Sequence, residues 1–74
     1  MDDLKTFLSK IEKGNKVILV LSGLAFIGAL TEKYDFTMDY VELSKVIITG
    51  GSIPAFNTDQ SMTFPIDKIL AWGK

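Results

Sequence analysis

The stretch Val17 to Leu30, VILVLSGLAFIGAL, carries no charge, and it restricts the possible folds of this chain more than any other part of the sequence. As one helix it would be about 21 Å long, against a hydrocarbon core of about 30 Å. Lys16 closes it on one side and Glu32 and Lys33 on the other, while Gly23 and Gly28 interrupt it. A membrane span is therefore disfavoured. A secretory leader fits no better, because the segment ahead of the run contains acids and no small-residue cleavage site follows. Val17 to Leu21 are β-branched or large aliphatic residues ending at Ser22-Gly23, the pattern of a buried strand reaching a tight turn. The expectation is a hairpin with strands over 16–21 and 24–34, in which Gly28 marks a bulge or bend.

A chain of 74 residues forms one domain, expected over 1–74, and a domain this small buries only about 60% of its unfolded surface. With no Cys and no His, disulfides and the common zinc frameworks are excluded, and no metal or other cofactor is expected. Self-association remains as a means of stabilisation, and the apolar content of 47% favours it. A cytoplasmic location is compatible with the missing Cys.

All eight basic residues are Lys, and the net charge is −1. Generic attachment to a phosphate backbone is thereby disfavoured, since neutralising charge dominates such binding. The bidentate contacts of Arg are absent as well.

Along the chain, Leu4, Phe7, Leu8 and Ile11 recur at helical spacing and predict an amphipathic helix over about 3–13. Asp2 and Asp3 suit its start, Lys10 and Lys13 its end, and Gly14 the position of a C-cap. Asp35-Phe36-Thr37 predicts a turn. Residues 38–49 predict a long strand with Val41 and Leu43 facing inward and Val46 as a further candidate. Gly50 to Gln60 has the composition of a loop, which could decorate one face, hold Phe56 against a neighbour, or move freely. Gly50-Gly51 lacks the context of a phosphate cradle. Residues 61–64 and 67–72 predict two short final strands separated by Pro65.

The segment from Leu21 to Leu30 followed by Tyr34 to Val41 resembles the first signature of the Sm/LSm family, which includes Hfq-like proteins. Gly23, Gly28, Asp35 and Met38 fall on matching positions, and Asp39 stands where the family has Asn. Residues 64–69 have the spacing of the second signature without its Arg-Gly. Divergent members of phage or environmental origin are similar in keeping the barrel without the full motifs. The resemblance implies a mainly β fold, a strongly bent five-stranded antiparallel barrel over about 16–73 behind an N-terminal helix. It also implies a homo-oligomeric ring, pentamer to heptamer, in which the fourth strand of one subunit pairs with the fifth of the next.

The edges expected to form that joint lie at 61–64 and 67–72, with Ser61, Met62, Thr63, Phe64, Ile69, Leu70 and Trp72 at the interface. A pocket for single-stranded RNA or DNA is implied at Tyr34, Phe36, Thr37 and Asp39 on one side and Pro65 and Ile66 on the other. Phe36 or Tyr34 could stack a base. Asp39 only accepts hydrogen bonds when ionised, where Asn also donates, and its charge repels phosphate. Turn formation by Asp35 and Thr37, and core or interface filling by Phe36 and Met38, are the structural alternatives.

No enzyme site is expected, because Asp35 and Asp39 have no identifiable catalytic partner. The expected function is thus a non-catalytic, ring-forming Sm-like protein that binds single-stranded nucleic acid. The alternative is a structural or protein-interaction barrel oligomer that does not.

Overall fold

Ser22 and Gly23 fold the charge-free stretch back on itself. In the computed structural model, which describes residues 3–74, both adopt positive φ, 49° and 82°, as a two-residue hairpin turn of the I′ kind demands. The turn joins β1 (Lys16–Leu21) to β2 (Leu24–Leu30) in antiparallel register, with Leu21 opposite Leu24 and Val17 opposite Gly28. The charge-free run is therefore a hairpin. Among the described residues, no helix is long and apolar enough to cross a membrane.

The sheet continues with β3 (Tyr40–Gly50), β4 (Ile53–Asn57), β5 (Met62–Pro65) and β6 (Ala71–Gly73), behind a short helix α1 (Asp3–Ser9). Its order is β4-β3-β2-β1-β6, with β5 also on β3. The strand order does not close on itself. Where a five-stranded closed barrel was expected, the chain forms an open antiparallel sheet of six strands.

Strand β3 is the element that bends. Ile27 of β2 lies opposite Ile47, but Ala29 lies opposite Ser44, so β3 carries one extra residue at this point. Lys45 takes it up with φ 53°. Side chains alternate along a strand, and this shift allows Val41, Leu43 and Val46 all to be buried. Gly28 lies across from the bulge rather than in it. A Cβ there would sit 2.8 Å from both Leu43 Cβ and the Ser44 carbonyl oxygen, and 3.3 Å from Val46 Cγ2. Gly28 is thus required for a close approach of two strands.

The two halves of β3 hold different partners along the same edge. Tyr40 to Leu43 pair with β5, and Ile47 to Gly50 pair with β4. Between them the bulge is bonded to the connecting segment: Thr58 N–H and Oγ1 donate to the Val46 carbonyl at 3.0 and 2.7 Å, and Val46 N–H donates to Gln60 O at 3.0 Å. The expected loop over 50–60 therefore contains a strand. Every residue of β4 is exposed, so no alternating burial marks it, and backbone bonding to β3 defines it instead.

Other boundaries shift for local reasons. Helix α1 ends at Ser9, and the N–H groups of Lys10 and Ile11 reach back three residues to the Phe7 and Leu8 carbonyls in a tighter turn. Lys10 and Lys13 thus lie beyond the helix. Gly14, at φ 91°, donates to Leu30 O and leads into β1 instead of capping α1. Asp2 lies outside the described residues. The last expected strand splits into a 3-10 turn (Ile66–Lys68) and β6, whose Trp72 lies opposite Leu19.

The core forms from Leu4, Leu8 and Ile11 of the helical segment, Val17 and Leu19 of β1, Leu30, Tyr34, the three inward residues of β3, Phe64 and Ile69. Phe26 and Phe64 join β2 to β5, ring centroids 5.1 Å apart. Because the Gly28 site is bounded by backbone and by a Cβ, it has little room to relax. Gly28→Ala is expected to lower unfolding free energy by about 1–3 kcal/mol, measured by urea denaturation.

Candidate binding groove

The turn after β2 is built by one carboxylate. Asp35 Oδ1 accepts hydrogen bonds from Thr37 N–H at 2.9 Å and from Thr37 Oγ1 at 3.0 Å, and Met38 N–H donates to Asp35 O at 2.8 Å. Tyr34 is buried and its hydroxyl donates to Met38 O at 2.8 Å. The backbone and hydroxyl donors of Thr37 hold the Asp35 pKa below the ordinary carboxylate range, against a small opposing effect of burial. Phe36, at the crest of the turn, is 53% exposed and meets Tyr34 nearly edge-on at 6.1 Å.

The chain that follows descends into a groove of about 790 Å³. Ile66 N–H donates to Asp39 O at 3.0 Å, and Tyr40 lies opposite Pro65. These contacts bring the end of one signature segment against the start of the other. Asp39, Pro65 and Ile66 line the groove together, with Tyr40, Asp67 and Trp72 beside them and Leu4, Lys5 and Ile69 beneath or at the margin. Tyr34, Phe36 and Thr37 are not among its walls. Tyr34 is occupied by the core, Thr37 by the turn, and Phe36 points to solvent elsewhere.

Tyr40, Asp67 and Lys5 lie outside the pocket residues that the resemblance implies. Tyr40 and Asp67 neighbour predicted residues in sequence, which was a usable signal. Lys5 enters only because α1 packs over this end of the sheet.

The expected interface residues divide sharply. Phe64 and Ile69 are buried inside the protomer, which removes them from the surface that a neighbour could touch, because β5 and the 3-10 turn direct them inward. Met62 is half-buried, and Ser61 and Thr63 are exposed. Leu70 and Trp72 stay open at 70% and 37% exposure. On β4, Phe56, which the 50–60 segment could hold against a neighbour, is 62% exposed, and Ile53, outside the expected interface, is exposed as well.

Among the described residues the one ion pair is Lys33 with Glu12, 3.3 Å apart, and Lys33 Nζ also donates to Ile11 O. Asp39 and Asp67 are exposed and make no ion pair with another described residue. No three acids converge as metal ligands among those residues. Among the described residues the groove thus offers aromatic and aliphatic walls with two carboxylates against one ammonium.

Comparison of the chain with protein families, with curated proteins and with solved structures finds no match.

The Asp35 turn has a pH signature. A carboxyl whose folded pKa is depressed contributes stability above its unfolded pKa and loses it as pH falls through the folded value. The Thr37 amide resonance is therefore expected to titrate with a midpoint below that of an ordinary aspartate, by NMR. Asp35→Asn is expected to abolish the titration while keeping an acceptor for the amide.

Proposed function

We propose that the protein is a non-catalytic, self-assembling module of the Sm-like kind, closing into a ring of pentamer to heptamer size and binding single-stranded nucleic acid. One observation carries the assembly. Phe56, Ile48, Phe26, Leu19 and Trp72 lie opposite one another across β4, β3, β2, β1 and β6. The row is exposed at both ends, partly buried at Ile48 and Phe26, and fully buried at Leu19 beside Trp72.

A neighbour whose β6 pairs with this β4 would set its Trp72 beside Phe56 and continue the row. Such pairing satisfies the free backbone groups of both edges, and a head-to-tail contact of this kind closes only as a ring. The fourth-strand side of the joint is then β4 itself, Ile53–Asn57, in place of the 61–64 segment. Ile53 and Phe56 lie opposite Gly50 and Ile48, two residues apart on β3, so both fall on the face that the row uses.

The nucleic-acid part rests on Phe36. An exposed ring held by a hydrogen-bonded turn is a platform on which a base can stack, worth about 1–3 kcal/mol. The second reading, an assembling module that binds protein instead, is favoured by the two carboxylates in the groove.

Light scattering at micromolar concentration is expected to give a discrete multiple of the 8.2 kDa chain. Phe56→Lys, at a position outside the core, is expected to reduce it to single-chain mass, and a monomeric parent protein would refute the ring. Phe36→Ala is expected to weaken binding of an oligouridine by at least about fivefold, the lower end of a stacking contact. An unchanged affinity would move the function to protein partners.

A further inference from the structure

The groove between α1, β3, β5 and β6 has a chemistry that its Sm-like resemblance does not account for. Its exposed aromatic residues are Tyr40 and Trp72, from strands at different places in the sheet. Its carboxylates are Asp39 and Asp67, brought together because Ile66 N–H bonds the Asp39 carbonyl. Among the described residues neither carboxylate is neutralised by an ion pair, and Lys5 is the single cation in the lining. The floor, Leu4 and Ile69, is buried and apolar.

We infer that this groove docks an arginine side chain presented by a segment of another protein. Charge complementarity selects a cation: a phosphate would meet two carboxylates and find one ammonium. The aromatic walls select among cations. A guanidinium is planar and weakly hydrated, so it loses little on leaving water, stacks on an aromatic ring, and can engage carboxylates through two parallel hydrogen bonds. An ammonium holds its water more tightly and makes neither planar contact.

The occupant is not a second copy, because this chain has no Arg. All the lining residues belong to one protomer, so no ring is needed to build the site. Trp72 also borders the proposed joint, and the single-chain Phe56→Lys variant is therefore titrated beside the parent, with the same arginine binding expected. Nor does the site rest on nucleic-acid binding, which uses Phe36 outside the groove. The volume, about 790 Å³, accommodates an arginine and the backbone on either side of it.

Trp72 is the only tryptophan and serves as the reporter. The full chain is titrated with a short, neutral-capped Gly-Arg-Gly peptide while Trp72 emission and amide shifts are followed, alongside the Gly-Lys-Gly peptide and an oligouridine. The expected result is a saturable change with the arginine peptide, at least about threefold weaker for the lysine peptide, as the exposed-site magnitude of a cation–π contact allows.

Asp39→Asn and Asp67→Asn change exposed residues, and each is expected to weaken arginine binding by about threefold or more, a modest part of a charge-assisted hydrogen bond. Glu32→Gln, an exposed acid outside the groove, is expected to leave it unchanged. No saturable response to the arginine peptide, equal binding after both aspartate substitutions, or an oligouridine that shifts the groove amides in its place would each overturn the inference.

Discussion

The contact between Gly28 and the bulge at Lys45 and Val46 is the constraint on which the rest of the sheet depends. A hydrogen atom in place of a side chain lets β2 run close over the point where β3 gains a residue. The extra residue turns β3, and the turn separates its edge into one part that receives β5 and another that receives β4. Phe64 can then reach Phe26 from β5, while β4 is carried outward with both faces in solvent. The same bend therefore produces the covered end of the sheet and the exposed one.

Much of this fold was legible because hydrophobic pattern and turn chemistry agreed. The hairpin followed from aliphatic runs on either side of Ser22-Gly23, and the inward positions Val41 and Leu43 from strand alternation, whereas Val46 is off that period and needs the extra residue to face inward. What the pattern could not locate was the strand that gained the residue. Gly28 signals only that two backbones approach, and the position with positive φ belongs to Lys45, a residue type that gives no hint of it. Strand β4 was invisible for a related reason. Gly, Ser, Pro and Asn dominate its surroundings, and its own residues bury nothing, so only the backbone partner Ile47–Gly50 makes it a strand.

The site divides along the same line. Asp35 and Thr37 form the turn that their spacing implies, since an Asp side chain bonds two residues ahead whatever the fold does. The meeting of Asp39 with Pro65 and Ile66 is a long-range event, and only the family resemblance implied it. Burial then sorted residues that sequence could not. Tyr34 and Phe36 are both aromatics flanking one aspartate, yet one is locked in the core by its hydroxyl and the other is open. Likewise Phe64 and Trp72 are large apolar residues on strands that follow one another in the chain, and only their placement in the sheet separates core from surface.

The pairing of β1 with β6 sets a condition on how the molecule is reached during folding. Ile18 and Gly73 are partners separated by most of the chain, so β1 and β2 can zip together early while the far side of β1 waits for a distant segment. Closing so large a loop is slow compared with forming a hairpin. During that interval the most apolar strand of the chain presents an open edge, and anything extended and apolar nearby competes with β6 for it. The speed with which Trp72 arrives beside Leu19 therefore governs how much of the nascent protein escapes sticking to its own kind in the wrong register.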